Sequence, residues 1–344
     1  MNMHSFRIFI ACLISLSMIL SGCFGETSLT ESKQTQTEKT INNVTNTSTG
    51  TSNNTHLQKQ KENQSSNITT IETIDDPSTT NINEEIVLDT NLKIYILPNG
   101  AEDAILIMRK DFNMLFGVGR AESYTRLKSY LTRFGVKKID IVVLPNEWNE
   151  QIGGFQFLAN DFKIGEIWKS QASFVKNSSK TALYNAKLRG ALERQVQYGD
   201  TFERNGITIK ILNPQKELLN SEEQDSIAIK VAFVDFCALI FSESEQSIEY
   251  KLKGLGENLE CQILKGSKHG GPTATSDLLI RTVTPDAIIF TTDGSENKPH
   301  KTTLERIKIY NNSATTHVNV YSTHINGLIT IISDGKLYKL MAEK

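Results

Sequence analysis

Cysteine is scarce in this sequence. The 344 residues include four cysteines, of which only Cys237 and Cys261 lie beyond residue 85. Neither belongs to a Cys-x-x-Cys pair or to a Cys/His cluster, which argues against a zinc site built from them. Both lie in apolar runs that are typical of strands, VAFVDFCALIF and CQILKG. We expect two small buried hydrophobes, and a disulfide between them stays open for a chain outside the cell.

An excess of one charge is also missing. The formal net charge is −2 at pH 7, and 32 of the 37 basic and 30 of the 39 acidic residues lie from residue 86 onward. A nearly neutral domain lacks the basic stripe of a dedicated nucleic-acid binder. The sequence has no Gly-x-Ser-x-Gly nucleophile elbow, and its run GSKHGG lacks the spacing of a phosphate-binding P-loop.

The N-terminal segment is typical of an exported protein. Residues 6–20, FRIFIACLISLSMIL, form an apolar stretch of signal-peptide length, and LSGC places small residues before Cys23. This arrangement predicts that residues 1–23 are a secretory signal with membrane lipid attached at Cys23. The alternative is a short uncleaved membrane anchor. Both interpretations place the rest of the chain at the outer face of the cytoplasmic membrane, lipid-anchored or secreted.

The segment between this signal and the folded part is predicted to be disordered. Residues 24–85 are rich in Thr, Ser and Asn and contain few large apolar side chains. Such a segment cannot bury enough surface to offset its ordering entropy, so we expect a flexible tether. One domain, residues 86–344, remains.

The apolar pattern of this domain predicts two similar halves. In the first, the strand-like runs LKIYIL, AILIM and NMLFGVG precede a helix over residues 124–134 and a buried strand, IDIVVL. In the second, a hairpin around Asn205-Gly206 precedes the strands of SIAIKVAFVDFCALIFS, and helices then alternate with strands. Strands followed by helices in each half predict an α/β protein, a four-layer αββα sandwich of two packed sheets.

Five segments of the chain occur in an order that is known from one protein family. They are LKIYILPNGAEDAILI, YGDTFERNGITIKILNP, LKGSKHGGPTATS, NKPHKTTLERI and VYSTHINGLITIISDG. They resemble the metallo-β-lactamase-fold superfamily, in particular the hydrolase-like domain of ComEC-type DNA-uptake competence proteins. The first resembles that family's Leu-Asp-Val-Gly-Gln-Gly-Asp-Ala, with Asp103 in register, and the third resembles Leu-Lys-x-x-His-His-Gly-Ser. The resemblance implies the metallo-β-lactamase fold from near residue 90 onward.

The resemblance also identifies a loop that has lost its metal ligands. Active members carry Thr-His-x-His-x-Asp-His-x-Gly-Gly there and bind one or two metal ions, usually zinc. This chain reads PNEWNEQIGG, which places Asn146 and Trp148 at the first two histidines, Glu150 at the aspartate and Gln151 at the last histidine. Amide oxygens are weak ligands for zinc, and an indole N–H can only donate a hydrogen bond.

Two further carboxylates of the family are replaced. Ser244, in IFSESE, corresponds to an aspartate that bridges the metal ions, and Gly117, in LFGVG, to a second aspartate. With these positions changed as well, the resemblance implies a degenerate metal site. We expect no cofactor, and zinc or another divalent metal is the alternative.

The remaining histidine positions are half changed. Lys268 and Lys298 replace two histidines of the family and leave His269 and His300 beside them. A lysine ammonium repels a neighbouring cation. Glu150, His269 and His300 are therefore candidates for a vestigial site, and none is assigned as catalytic.

Three functions are compatible with this pattern. The first is a membrane-anchored extracytoplasmic protein without metal-dependent hydrolysis, a binding or assembly module for an unknown surface protein or ligand, since folds outlive their chemistry. The second is a nuclease- or phosphodiesterase-like hydrolase with a rebuilt site. Its candidate residues are Glu147, Glu150, Glu243, Glu245, His269 and His300. Enzymatic activity stays undecided at this level, and the sequence favours its absence.

The third function is contact with DNA by a competence-type accessory protein. Lys268, Lys298 and Lys301 would lie near the former site, where their ammonium groups could meet phosphates. The near-zero net charge of the domain favours an ordinary solvated surface instead. Salt-dependent DNA binding that is lost on replacing these lysines distinguishes the two.

Overall fold

The computed structural model describes residues 90–171, 177–295 and 298–344. The predicted boundaries at residues 23 and 85, and Cys23 itself, lie outside these ranges and stay predictions. Inside them, none of the helices combines the length and the apolar character that crossing a membrane requires.

The described strands and helices follow the predicted pattern in most places. In chain order the strands are β1 (Leu92–Ile96), β2 (Ile105–Arg109), β3 (Phe112–Phe116), β4 (Lys138–Leu144), β5 (Lys163–Ser170), β6 (Leu192–Val196), β7 (Thr201–Arg204), β8 (Ile207–Asn213), β9 (Ala228–Phe233), β10 (Phe236–Phe241), β11 (Ile263–Lys265), β12 (Ala287–Phe290), β13 (Asn319–Ser322), β14 (Ile329–Ser333) and β15 (Tyr338–Ala342). The helices are α1 (Tyr124–Arg133), α2 (Asn149–Ile152), α3 (Phe155–Asp161), α4 (Asn177–Leu188), α5 (Gln246–Gly254), α6 (Asp277–Val283), α7 (Lys301–Ser313) and α8 (Thr323–Asn326).

The strands form two sheets. The order in the first is β15-β14-β1-β2-β3-β4-β5-β6, and in the second β13-β12-β11-β10-β9-β8-β7. Strands β3 to β6 run parallel in the first sheet, as do β10 to β13 in the second. Within each sheet, the parallel strands end on the same side, so the loops that follow their carboxyl ends lie next to one another.

Apolar side chains fill three layers of core. The first lies between the two sheets and takes inward residues such as Ile94, Ile141 and Ile240. The second lies between the first sheet and helices α1, α3 and α4, and the third between the second sheet and helices α5 to α7. Because side chains alternate across a strand, one strand serves two layers. This arrangement confirms the predicted four-layer αββα sandwich.

Some elements of the structure were not predicted, α4, β6 and α2 among them. Helix α4 and strand β6 lie in a stretch for which the apolar pattern indicated no element. Strand β6 is mostly exposed at the edge of the first sheet, so it has little hydrophobic periodicity to detect. The loop after β4 contains the short helix α2, which is one turn long.

The two cysteines of the domain form a disulfide. Cys237 on β10 bonds Cys261, 24 residues later and just before β11. Both residues are buried, as expected, and of the two interpretations that the sequence allowed, the structure has the disulfide rather than two free thiols. The bond joins the start of β10 to the segment that leads into its parallel neighbour.

Candidate functional site

Five buried side chains from both sheets meet at one edge of the sandwich. Asp103 precedes β2, Gln151 lies in α2 after β4, Glu243 follows β10, Lys265 ends β11, and His269 lies in the 3₁₀ turn Ser267–Gly270. We call these five residues the central cluster. They converge because each lies at or near the end of a strand. These strand ends are on the side of the sandwich where the loops of both sheets lie next to one another.

Asp103 is the most heavily hydrogen-bonded member of the cluster. Its Oδ1 lies 2.6 Å from Lys265 Nζ and accepts a hydrogen bond from Thr291 Oγ1 at 2.7 Å. Its Oδ2 accepts from Ser242 Oγ at 3.1 Å and from Gln151 Nε2 at 3.2 Å. Burial alone would raise the pKa of the Asp103 carboxyl, but the charges of Lys265 and His269 outweigh burial and hold that pKa below its usual value.

Gln151 links the two carboxylates of the cluster. Its Nε2 donates to Asp103 Oδ2 at 3.2 Å and to Glu243 Oε1 at 3.1 Å. The opposite amide orientation would turn Oε1 towards two carboxylates, which cannot donate when ionised, so chemistry decides the assignment. The Oε1 of Gln151 has no hydrogen-bond partner among the described residues.

The hydrogen bonds of His269 determine where its protons lie. Its Nδ1 lies 2.9 Å from the carbonyl oxygen of Thr291 and 3.0 Å from Thr291 Oγ1. The hydroxyl hydrogen of Thr291 is donated to Asp103, so both partners can only accept, and Nδ1 is the donor. The Nε2 of His269 lies 3.1 Å from Glu243 Oε1. A proton therefore lies between imidazole and carboxylate as well.

The charges in the cluster compensate one another. Burial alone would raise the pKa of Glu243, but the charge and the hydrogen bond of His269 outweigh it, with help from Lys265, and the pKa is lowered. Two carboxylates thus face one ammonium and one imidazole inside the cluster.

A strained turn brings His269 into the cluster. Lys268 and His269 both have left-handed backbone angles, with φ of 50° and 54°, which is unusual for residues other than glycine. Lys268 N–H donates to the carbonyl of Ser242 at 2.8 Å, which fixes the turn against the end of β10. As a result, the two neighbouring side chains leave in different directions, His269 inward and Lys268 towards the cleft.

The loop positions that were predicted to replace metal ligands mostly have other contacts here. Asn146 is buried, and its Oδ1 accepts from the backbone N–H of Trp148 at 2.9 Å. Glu150 turns to Arg120, with its Oε1 2.5 Å from Nη2. Gln151 is the one of the four loop positions that joins the central cluster.

The other predicted positions, Ser244 and His300, have different contacts. Ser244 is buried, and its Oγ lies 3.3 Å from Ser226 Oγ, whereas the carboxylate that faces the cluster belongs to Glu243. His300 is the N-cap of α7, with Nδ1 2.8 Å from Thr302 Oγ1. Of Glu150, His269 and His300, only His269 lies in the cluster.

Gly117, which was predicted to stand in place of a second aspartate, lies close to the backbone of Asp103. Its φ is +72°, and a Cβ added to it would lie 2.3 Å from the carbonyl oxygen of Asp103. The backbone approach leaves no room for any side chain at this position.

The three lysines that were predicted to contact DNA are in different surroundings. The ammonium of Lys268 lies 2.9 Å from Glu223 Oε1 and 3.0 Å from Glu245 Oε1, so two carboxylates already neutralise it. Lys298 lines the cleft described below. Lys301 is exposed at the first position of α7.

A cleft of about 710 Å³ opens above the cluster. Glu243 and His269 contribute to its floor, and its walls include Trp148, Pro272 and Lys298. The cleft therefore gives a ligand access to the edge of the cluster, while Asp103 and Lys265 lie beneath the surface.

Lys265 and Thr291 were missed by sequence reasoning. Lys265 lies in the otherwise apolar run CQILKG and is 1% exposed, and a lysine inside a buried strand signals a buried partner. That partner is Asp103, which the resemblance had already placed in register. Thr291 follows the apolar strand β12 and offers no comparable signal.

The residues present do not fit a metal ion. Among the described residues, no group of three or more His, Cys, Asp and Glu side chains is arranged to hold one. Gln151 presents N–H groups, not lone pairs, to Asp103 and Glu243, and the Nε2 of His269 faces a carboxylate through a proton. A metal ion needs lone pairs from these atoms.

Comparison with curated proteins identifies two relatives. The chain is 20% identical over 203 residues to ComE operon protein 3 of Bacillus subtilis strain 168, a match that covers 58% of this chain and 25% of that protein. It is 22% identical over 220 residues to competence protein ComA of Neisseria gonorrhoeae, covering 63% and 29% respectively. The chain thus spans between a quarter and a third of the length of these relatives. No protein-family model matches the chain.

Solved structures include a similar molecule. The metallo-β-lactamase fold protein YhfI of Bacillus subtilis matches 67% of this chain and 96% of its own, with a TM-score of 0.45 and 12% identity. The two-sheet sandwich, its two outer helix layers and the two sequence matches agree with the predicted resemblance. The chain has the metallo-β-lactamase fold and is similar in sequence to competence proteins of the ComEC type.

Proposed function

We propose that this protein is a binding or assembly module of the metallo-β-lactamase fold that works without metal-dependent hydrolysis. It is held at the outer face of the cytoplasmic membrane by a lipid on Cys23 and presents the cleft to a surface protein or ligand. The observation that carries this proposal is the hydrogen bonding of Gln151 to both Asp103 and Glu243.

This contact supports a non-catalytic role because of what metal hydrolysis requires. A catalytic zinc ion needs three protein ligands and an open position for water, whose pKa it lowers to about 7. Here Gln151 donates hydrogen bonds to both carboxylates, Asp103 and Glu243. The acidic groups are already neutralised by Lys265 and His269.

Two features support a location outside the cytoplasm. The first is the signal-like segment that ends at Cys23. The second is the disulfide between Cys237 and Cys261, because disulfides persist in oxidising compartments and are rare in the cytosol.

A hydrolase with a rebuilt site is the second candidate. The pair formed by Glu243 and His269, 3.1 Å apart, reaches the floor of the cleft and has the composition of an acid–base pair. Among the described residues, however, no serine, threonine or cysteine nucleophile is hydrogen-bonded to His269 Nε2. The pair alone therefore supports this candidate weakly compared with the first.

Metal content is the measurement that separates the two. We would purify the full chain in detergent without chelator and without added metal, and measure bound metals by mass spectrometry. The proposal predicts less than about 0.1 equivalent of any transition metal, since the donor set is wrong for zinc. It also predicts no thermal shift with zinc, manganese or magnesium and no hydrolysis of phosphodiester substrates. Near-stoichiometric metal that is lost in His269→Ala would overturn the proposal.

A further inference from the structure

The disulfide between Cys237 and Cys261 borders a second pocket, at the opposite end of β10 from the central cluster. Cys237 lies near the start of this strand, and Glu243 follows its end. The pocket has a volume of about 510 Å³, and both cysteines belong to its lining. We call it the disulfide pocket. A small molecule inside it touches the bond, although the two cysteines are only 9% and 6% exposed.

The lining of the disulfide pocket is mainly acidic. Its charged residues supply three carboxylates and one ammonium, those of Asp235, Glu260, Asp286 and Lys336. The carboxylate of Asp286 is held in the wall by the hydroxyl of Tyr338, which donates to its Oδ2 at 2.8 Å. The formal charge of the lining is therefore −2 at neutral pH. Such a pocket attracts cationic ligands and repels anionic ones.

The disulfide is the reactive group of this pocket. A disulfide exchanges with any thiolate that reaches one of its sulfurs, so access determines the rate. Sγ of Cys237 lies 3.2 Å from the carbonyl oxygen of Glu260. In the disulfide this sulfur carries no hydrogen, but the thiol that forms when the bond opens can donate to that oxygen. An acceptor is therefore already in place for a released Cys237, which favours Cys261 as the residue that keeps the incoming thiol.

We propose that this disulfide is a site of thiol exchange, at which small aminothiols, which carry a positive charge, form a mixed disulfide with Cys261. The thiolate of the aminothiol attacks Sγ of Cys261, the bond to Cys237 breaks, and Cys237 leaves as a thiolate. Cys237 then takes up the proton that the attacking thiol released to water. One thiol is consumed and one is formed, so no separate oxidant or reductant is needed. The site lies apart from the cleft, and the inference does not depend on what the cleft binds.

The charge of the lining determines how strongly the thiols are discriminated. In water, a unit charge about 7 Å from another changes a rate about 2.7-fold. An aminothiol and a thiol with a carboxylate differ by two charges. Against a net charge of −2 in the pocket, the preference for the aminothiol is about 50-fold without screening. Screening reduces it to about tenfold at about 20 mM salt and to about twofold at about 0.5 M salt.

The experiment uses the full chain, purified in detergent with its free thiols alkylated. Cysteamine and 3-mercaptopropionate are the probes, and the reaction of each with the neutral 2-hydroxyethyl disulfide corrects for their different thiolate fractions and nucleophilicities. Intact mass after acid quenching gives the initial rate of exchange, and peptide mapping locates the adduct. The chains compared are the wild type, the double variant Asp235→Asn/Glu260→Gln and the control Glu305→Gln, which removes an exposed carboxylate from α7. Circular dichroism verifies that each is folded.

The wild type and Glu305→Gln are expected to react about tenfold faster with cysteamine at about 20 mM salt, with the adduct on Cys261. The double variant leaves one carboxylate and one ammonium in the lining, so its preference should fall below about twofold. Urea below the unfolding transition should not accelerate the exchange steeply, because the folded protein is what reacts. The inference fails if the disulfide exchanges only as the chain unfolds, if the two thiols react equally at low salt, or if the double variant keeps the preference of the wild type.

Discussion

Replacing Lys265 by methionine tests whether the central cluster is held together by its own charges. Lys265 and Asp103 are 1% and 0% exposed, and their charged atoms lie 2.6 Å apart. Methionine keeps most of the length of the lysine stem and its packing in β11 while it removes the ammonium. The carboxylate of Asp103 then stays buried without its main counter-charge.

The expected loss of stability follows from the partners that remain. Breaking a buried ion pair by removing one partner typically costs about 3–5 kcal/mol. Asp103 keeps hydrogen bonds from Gln151, Ser242 and Thr291, so we place the cost near the lower end, at about 3 kcal/mol. For a domain of this size, the melting temperature should fall by about 6–12 °C.

Urea unfolding of the full chain, followed by tryptophan fluorescence, measures this loss. One of the two tryptophans, Trp168, is fully buried and reports on the first sheet. Lys253→Met on the exposed face of α5 is the matched control, and its effect should stay within about 0.5 kcal/mol. A double-mutant cycle with Asp103→Asn should show a coupling above about 1 kcal/mol. A loss below about 1 kcal/mol in Lys265→Met would refute the view that this pair neutralises the cluster.

Three further predictions follow from other contacts. Because the folded pKa values of Asp103 and Glu243 are lowered, both stabilise the fold above their unfolded pKa values of about 4, and this contribution is lost as the pH falls below about 4. Urea unfolding at pH 7, 5 and 3 should therefore show a smaller acid loss in Asp103→Asn and in Glu243→Gln than in the wild type, and an equal loss contradicts this. Replacing Cys237 and Cys261 by serine should lower the free energy of unfolding by about 3 kcal/mol, since the bond closes a loop of about 25 residues. Urea unfolding of the wild type with and without reductant measures this loss, and equal midpoints argue against the bond. Lys268→Ala should not alter any affinity for duplex DNA, because two glutamates already neutralise the ammonium of Lys268. Fluorescence anisotropy at several salt concentrations tests this. If the slope of log affinity against log salt concentration is reduced by about 1, Lys268 contacts a phosphate.

The fold was predictable because strands that are buried on both faces are almost entirely apolar in sequence. A strand such as IDIVVL lies between the inter-sheet core and the helices, so nearly every position is apolar. Strand β6 is exposed over most of its length. Helix α4 buries mainly small side chains, Ala182 and Ala186 beside Leu183, so its apolar pattern is weak. Hydrophobic periodicity reports burial, and elements with little of it escape detection.

The site was predictable only to within one residue. The resemblance placed Glu150 and Gln151 at neighbouring ligand positions, but they lie in the helical turn α2, where consecutive side chains point about 100° apart. Only Gln151 can face the cluster, and Glu150 turns to Arg120. The resemblance placed Ser244 at a ligand position, but its neighbour Glu243 faces the cluster. Neighbouring side chains in an extended chain point to opposite sides, so an alignment that is wrong by one residue selects the side chain that faces away.

The apolar cores, and not the central cluster, supply most of the buried surface that stabilises the fold. Most of the buried residues are apolar, and burial of apolar surface is the dominant favourable term in folding. The cluster therefore has only to avoid an unpaired buried charge, and its two carboxylates meet this condition through Lys265 and His269. A ligand in the cleft accordingly meets the hydrogen-bonded side chains of Glu243 and His269 beside other lining residues such as Trp148 and Pro272.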